Sequence, residues 1–189
     1  MSRPLKPTSY CQLVATLPAR HVHRRYHDRH YGVPVRTDRR LFERLVLEIN
    51  QAGLSWKTIL RKQAAFRKAY DGFCVQRVAA YMARDRARLL RDASIIRHHQ
   101  KIDAAIYNAR QILKLKSDYG SFYAWLELHR GSRFPTWLRL FKATFHFMGP
   151  DIVREFLMSL GLIPGAHDDN CPHYRERFIK KRPSRIQRI

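Results

Sequence analysis

Between Asp38 and Gly165, apolar residues recur every three or four positions, and runs alternating apolar with polar side chains are hard to find. That period predicts helices and no sheet, so the fold class read from the chain is all-α, with about eight helices. Leu41, Phe42, Leu45, Val46 and Ile49 line one side of a helix that Asp38 is placed to cap and Gly53 to stop. Ser55 caps the next, which turns Trp56, Ile59, Leu60, Phe66 and Tyr70 inward and ends at Gly72. A short helix carries Val75, Val78, Ala79 and Met82, and another runs from Arg84 to Asp92 with Leu89 and Leu90 as anchors. After a turn over Ser94–Lys101, Ile102, Ala105, Ile106, Ala109, Ile112 and Leu113 define a longer helix ending before Gly120. Ser121 caps a helix with Phe122, Trp125 and Leu126, and Gly131–Pro135 reads as a loop before a helix starting at Thr136. Pro150 opens the last helix, with Ile152, Val153, Phe156, Leu157 and Leu160, and Gly161 terminates it.

The 189 residues, 45% of them hydrophobic, suffice for one domain with a sizeable core. We place that domain at 1–172, with an N-terminal arm over 1–25, and treat 173–189 as a basic tail. Lysines and arginines number 37 against 15 acids, a net charge of +22. Such an excess calls for a polyanionic partner. No apolar run reaches the roughly 18 residues of a spanning helix, which disfavours a membrane and leaves nucleic acid. Met1–Arg20 lacks a leader-like apolar stretch and cleavage site, so a cytoplasmic location is expected. Three cysteines, at 11, 74 and 171, are too few and odd in number for a disulfide framework.

Three groups of residues could carry chemistry. Glu48 lies beside the apolar face of its helix, where an acid is costly unless it is paired or looks into a cavity, and Trp56 follows just past the Gly53 turn. With Tyr26 and Tyr31 of YHDRHYGVP, this set suits a flat cationic base; a rim carboxylate paired with an arginine is the plainer alternative. His167 and Cys171, in AHDDNCPH, have metal-ligand spacing, and Cys11 and His27 could complete a closed, structural zinc site joining the two ends of the chain. Two unrelated polar loop residues would have the same spacing. The third group is DASIIRHHQKIDAAIYNAR, residues 92–110, a helix, turn and basic helix in which Ser94, Arg97, His98, His99 and Lys101 surround a helix N-terminus able to take phosphate. An ordinary connection with a solvated charge cluster is equally compatible with it.

Taken together, YHDRHYGVP, LFERLVLEINQAGLSWKTILRK, ASIIRHHQKIDAAIYNAR and FHFMGPDIVREFLMSLGL resemble the DNA-3-methyladenine glycosylase I family over about residues 24–171. The resemblance implies a two-lobed helix-hairpin-helix glycosylase fold with the lesion pocket between the lobes. It puts Glu48 at the base-recognising carboxylate, Tyr26 and Trp56 at the aromatic walls with His23 and Tyr31 nearby, and Cys11, His27, His167 and Cys171 at a structural zinc. The chain departs from the family where Gln12 and Leu13 replace an early Trp, His23 replaces a pocket Tyr, and Ser94 and Gln100 replace two hairpin glycines. Cys11 also stands three residues farther from His27 than the family pattern has it.

The activity so implied is hydrolysis of the N-glycosidic bond of 3-methyladenine in double-stranded DNA, by a monomer that flips the base from the stack. A purine alkylated at N3 is already cationic and leaves easily, so a strong general acid is not required. The alternative is a noncatalytic DNA-binding paralogue, suggested by His23 and the missing Trp and opposed by the retention of Glu48, Trp56 and Tyr26.

Overall fold

The computed structural model describes residues 7–174. Most of the predicted basic tail, from Arg175 on, therefore lies outside the described residues. Among the described residues there are ten α-helices and no strand. They are α1 (Tyr10–Ala15), α2 (Val22–Arg29), α3 (Asp38–Gln51), α4 (Trp56–Ala69), α5 (Val75–Ala79), α6 (Ala83–Arg91), α7 (His99–Tyr119), α8 (Phe122–Leu128), α9 (Phe134–Thr144) and α10 (Pro150–Ser159). No described helix is long and apolar enough to cross a membrane.

The described residues divide into two compact units. One comprises the chain up to Pro34 together with the chain from Leu157 on, and the other is Val35–Phe156. In the second unit, the predicted faces are buried: Leu41, Phe42, Leu45, Val46 and Ile49 of α3, Ile59, Leu60 and Phe66 of α4, and Ile102, Ala105, Ala109 and Ile112 of α7. Helix α7 packs on α3, α5, α6 and α8. Phe122, Trp125, Trp137, Phe141, Phe145 and Phe156 pack on one another in an aromatic core drawn from α8, α9, α10 and Phe145, all at most 3% exposed. Edge-to-face pairs such as Trp125–Phe141 (5.6 Å) and Phe141–Phe156 (5.6 Å) each add about 1 kcal/mol to the burial of the rings themselves.

Several boundaries differ from the sequence reading. Thr37, not Asp38, is the N-cap of α3, because the Asp38 carboxylate accepts from the Phe122 and Tyr123 N–H groups and so serves the start of α8. Helix α7 begins at His99, which shortens the hairpin turn. Helix α9 begins at Phe134, since Pro135 fits a first helical turn, where its missing N–H is no loss. Helices α1 and α2 were expected only as an arm. They bury few positions, Val14, Tyr26 and His27 alone.

Candidate functional site

In the first unit, α1, α2 and the loop after α10 bring Cys11, His27, His167 and Cys171 together, with one donor atom of each within 4.8 Å of the others. Ser9 fixes α1 by accepting from the Gln12 N–H, while its own hydroxyl donates to Asp168 at 2.5 Å in the opposite loop. His27 Nε2 stands 3.3 Å from Cys11 Sγ, 3.7 Å from Cys171 Sγ and 3.1 Å from His167 Nδ1. His167 Nδ1 is 3.7 Å from Cys11 Sγ and 3.6 Å from Cys171 Sγ. A tetrahedral ion bound at ordinary zinc–sulfur and zinc–nitrogen lengths needs edges of about 3.3 Å between nitrogens and about 3.6 Å between nitrogen and sulfur. The four donors are therefore spaced to hold such an ion.

The surroundings set both rings for that task. His27 Nδ1 lies 2.8 Å from Asp28 Oδ1, which leaves Nε2 facing the cluster. His167 Nε2 lies 3.0 Å from the Tyr31 carbonyl, which leaves Nδ1 facing it. The Asp168 N–H donates to Cys11 Sγ at 3.4 Å. Burial pushes the Cys11 thiol up to about 11, with Cys171 adding to the shift and the Asp168 N–H opposing it. A bound cation favours the thiolate instead. Gly32, at φ +67°, is required twice over: the backbone is left-handed, and a Cβ would come within 3.1 Å of the His167 ring.

The aromatic residues assigned to this unit gather beside the cluster. Tyr10 packs edge-on against His23, His27 and Tyr31 at 5.5–5.7 Å, and its hydroxyl lies 3.0 Å from His23 Nδ1. Tyr26 and Tyr31 are buried, with ring centroids 5.7 Å apart. Tyr10 and His173 were not singled out from the sequence, and Asp28, grouped there with Tyr26, His27 and Tyr31, was not paired with His27. Asp28 bridges to His173 Nε2 at 3.2 Å as well as to His27. Partial burial pushes the Asp28 carboxyl up, but the His27 hydrogen bond and the charges of His173 and Arg24 outweigh it and hold the group below its ordinary value. A carboxylate adjoining a candidate ligand in sequence, as in the His27–Asp28 pair, was the available signal.

In the second unit, Glu48 sits in the last turn of α3 and is only 5% exposed. Burial is the main cause that pushes its carboxyl up to about 8, with Glu155 adding repulsion and Arg44 pulling the other way. The turn that follows is made by Gly53 at φ +79° and the Leu54 N–H donating to the Gln51 carbonyl at 2.7 Å. Ser55 accepts from the Thr58 N–H, and α4 then starts at Trp56, half-buried. The carboxylate and the indole thus lie at the two ends of one tight helix–helix connection.

The hairpin between α6 and α7 also belongs to this unit. Ser94 donates its hydroxyl to Asp92 at 2.5 Å and closes the turn, while Arg97 and His99 are exposed. His98 stacks on His99 at 5.5 Å and meets Phe147 edge-on. Lys101 differs from its neighbours. Although a phosphate contact was expected of it, it is 5% exposed and donates to the carbonyls of Asn50 (3.1 Å) and Ala52 (2.7 Å).

The family model for methyladenine glycosylase matches residues 17–134. The chain is 36% identical over 157 residues to DNA-3-methyladenine glycosylase 1 of Escherichia coli, covering 73% of this chain and 84% of the relative. It is 30% identical to the DNA-3-methyladenine glycosylase of Haemophilus influenzae, covering 78% and 89%. Among solved structures, the fold is similar to 3-methyladenine DNA glycosylase I from Staphylococcus aureus, with a TM-score of 0.73, 32% identity and coverage of 80% of this chain and 90% of that one. It is also similar to a variant of such an enzyme in complex with 3-methyladenine, with a TM-score of 0.76, 31% identity and coverage of 87% and 96%.

Proposed function

We propose, for a chain that belongs to the DNA-3-methyladenine glycosylase I family, how each residue serves the activity of that family. The protein is a base-excision DNA glycosylase that hydrolyses the N-glycosidic bond of 3-methyladenine. Its substrate is alkylated duplex DNA, from which the target nucleotide is extruded at a cost of a few kcal/mol. It acts as a monomer.

The observation that carries the residue-level reading is Glu48, a carboxylate buried at the end of α3 where burial makes ionisation costly. A cationic purine offsets that cost on arrival. Glu48 then accepts hydrogen bonds from the base, and Trp56 offers its ring face to the delocalised charge. For Tyr26, His23 and Tyr31, the role is the one the family resemblance implies, contact with the base. Because the alkylated purine already carries the charge that weakens its bond to the sugar, recognition and orientation supply most of the selectivity, and no strong general acid is needed. Ser94, Arg97, His98 and His99, in the hairpin turn that leads into α7, meet backbone phosphates.

Zinc is the ion that suits Cys11, His27, His167 and Cys171. Two thiolates and two imidazoles make a closed four-coordinate set, so the ion's contribution is structural and leaves no position for substrate. Within the first unit it ties α1 and α2 to the loop after α10.

The test is release of free base from methylated duplex DNA, identified by mass spectrometry. Selective release of 3-methyladenine is the expected result. Intact DNA binding without release would overturn the reading in favour of a noncatalytic DNA-binding paralogue.

A further inference from the structure

The carbonyl end of α3 presents acceptors that the helix itself cannot satisfy. Gln51 O is taken by the Leu54 N–H of the turn. Asn50 O and Ala52 O are taken by a side chain from 49 or more residues away, the Lys101 ammonium, at 3.1 and 2.7 Å. Lysine is among the residues least often fully buried, and here it is 5% exposed, within the first turn of α7. A cation at a helix C-terminus is favoured by the helix dipole as well as by its hydrogen bonds.

The ammonium also sits over the Phe147 ring, 5.8 Å from its centroid. Phe147 has φ +63°, a left-handed conformation unusual for a bulky residue. It is kept there by the preceding residue: the fully buried Asn108 of α7 accepts from the His146 N–H at 2.8 Å and donates to the His146 carbonyl at 3.2 Å. A second lysine makes the reciprocal tie. Lys62 of α4 donates to the carbonyls of Ala93 and Ser94 in the hairpin turn, at 3.2 and 2.7 Å. The connection carrying Glu48 and Trp56 is thus bound to the hairpin from both sides.

We propose that Lys101 is a positioning residue for base recognition, fastening the end of α3 to the start of α7 so that DNA held at the hairpin and the base met by Glu48 and Trp56 share one frame. The inference rests on the assignment of base recognition to Glu48. It differs from the phosphate contact that a basic residue in a hairpin suggests, because the ammonium already has two carbonyls and an aromatic face. A misplacement of about 1 Å at a recognition group can cost on the order of a hundredfold in rate, so loosening this tie acts on the chemical step more than on DNA affinity.

Lys101→Met keeps the length of the side chain and removes the donors. Single-turnover excision of 3-methyladenine at saturating enzyme should fall about tenfold or more. The Kd for duplex DNA containing an abasic-site analogue should stay within about twofold, and the slope of log K against log salt should not change. A phosphate contact gives the reverse: the slope drops by about 0.9, affinity falls, and the single-turnover rate is kept. That result would overturn the proposal, as would an unchanged rate accompanied only by a lower Tm. If Lys101→Met does not fold, Lys101→Gln supplies a neutral donor. Excision within about threefold of the unsubstituted protein with an unaltered salt slope supports the proposal, and a slope reduced by about one overturns it. Failure of the unsubstituted protein to release 3-methyladenine would overturn the glycosylase reading and this inference with it, whereas normal release by both it and Lys101→Met would overturn the inference alone.

Discussion

Asp28 Oδ1 lies 2.8 Å from Nδ1 of His27, on the side of the ring opposite the nitrogen that faces Cys11 and Cys171. The carboxylate fixes the tautomer and makes Nε2 the better ligand, as carboxylates behind metal-bound histidines do. Asp28→Asn preserves the shape and removes the charge. Affinity for zinc should fall about 10- to 100-fold, read by competition with a chromophoric chelator. Unchanged affinity would show that Asp28 plays no part in metal binding.

The purified protein should contain one zinc per chain by elemental analysis. Stripping the ion leaves two half-buried thiols, and Cys11 in particular then holds its proton, because its partial burial has pushed it up to about 11. A strong chelator should lower Tm, and Cys171→Ala should lower it to a similar extent while making the protein insensitive to chelator. Substoichiometric metal in both proteins would remove zinc from the account.

Wherever packing alone decides, the chain could be read directly. Leu41 to Ile49 on α3 and Ile102 to Ile112 on α7 declare their buried faces by spacing, and both faces are buried. Helices α1 and α2 escaped that reading because side-chain chemistry holds them: of YCQLVA only Val14 is buried, and of VHRRYHDR only Tyr26 and His27. Periodicity carries no signal for a helix anchored by a ligand set. The ligand types at Cys11, His27, His167 and Cys171 were visible, but their convergence depends on the chain leaving the first unit at Pro34 and rejoining it at Leu157, which spacing cannot encode. Lys101 misled for a related reason. A cation in a basic segment defaults to solvent or phosphate, and only the carbonyls of Asn50 and Ala52 in the folded chain show it turned inward.

Asn108 offers a test of how the segment around Phe147 is held. It is fully buried, and both ends of its amide are bonded to the His146 backbone. Asn108→Ala removes both hydrogen bonds to the His146 backbone and leaves a fully buried site underfilled, and should destabilise the protein by about 1–3 kcal/mol. The change should appear as a lower denaturant midpoint with an unchanged m-value. A midpoint within error of the parent would mean that these two hydrogen bonds add nothing to stability.

Glu48 ties recognition to pH. An unfolded glutamate titrates near 4.5, whereas burial raises the folded group to about 8. Between these values the folded state binds the extra proton, so stability contributed at this site is present below about pH 4.5 and is lost as pH rises towards 8. Glu48→Gln removes the penalty. Its Tm should exceed that of the parent by a margin that grows from pH 5 to pH 8, corresponding to about 3 kcal/mol near neutrality. Activity should respond in the opposite sense. The carboxylate form is the better acceptor for the base, so kcat/KM should rise with pH and level off above about 8. Glu48→Gln should flatten that profile and lower excision about 10- to 100-fold, with DNA affinity little changed. Equal loss of excision and DNA affinity, or a parent profile flat from pH 6 to 9, would take the base-recognising role away from Glu48.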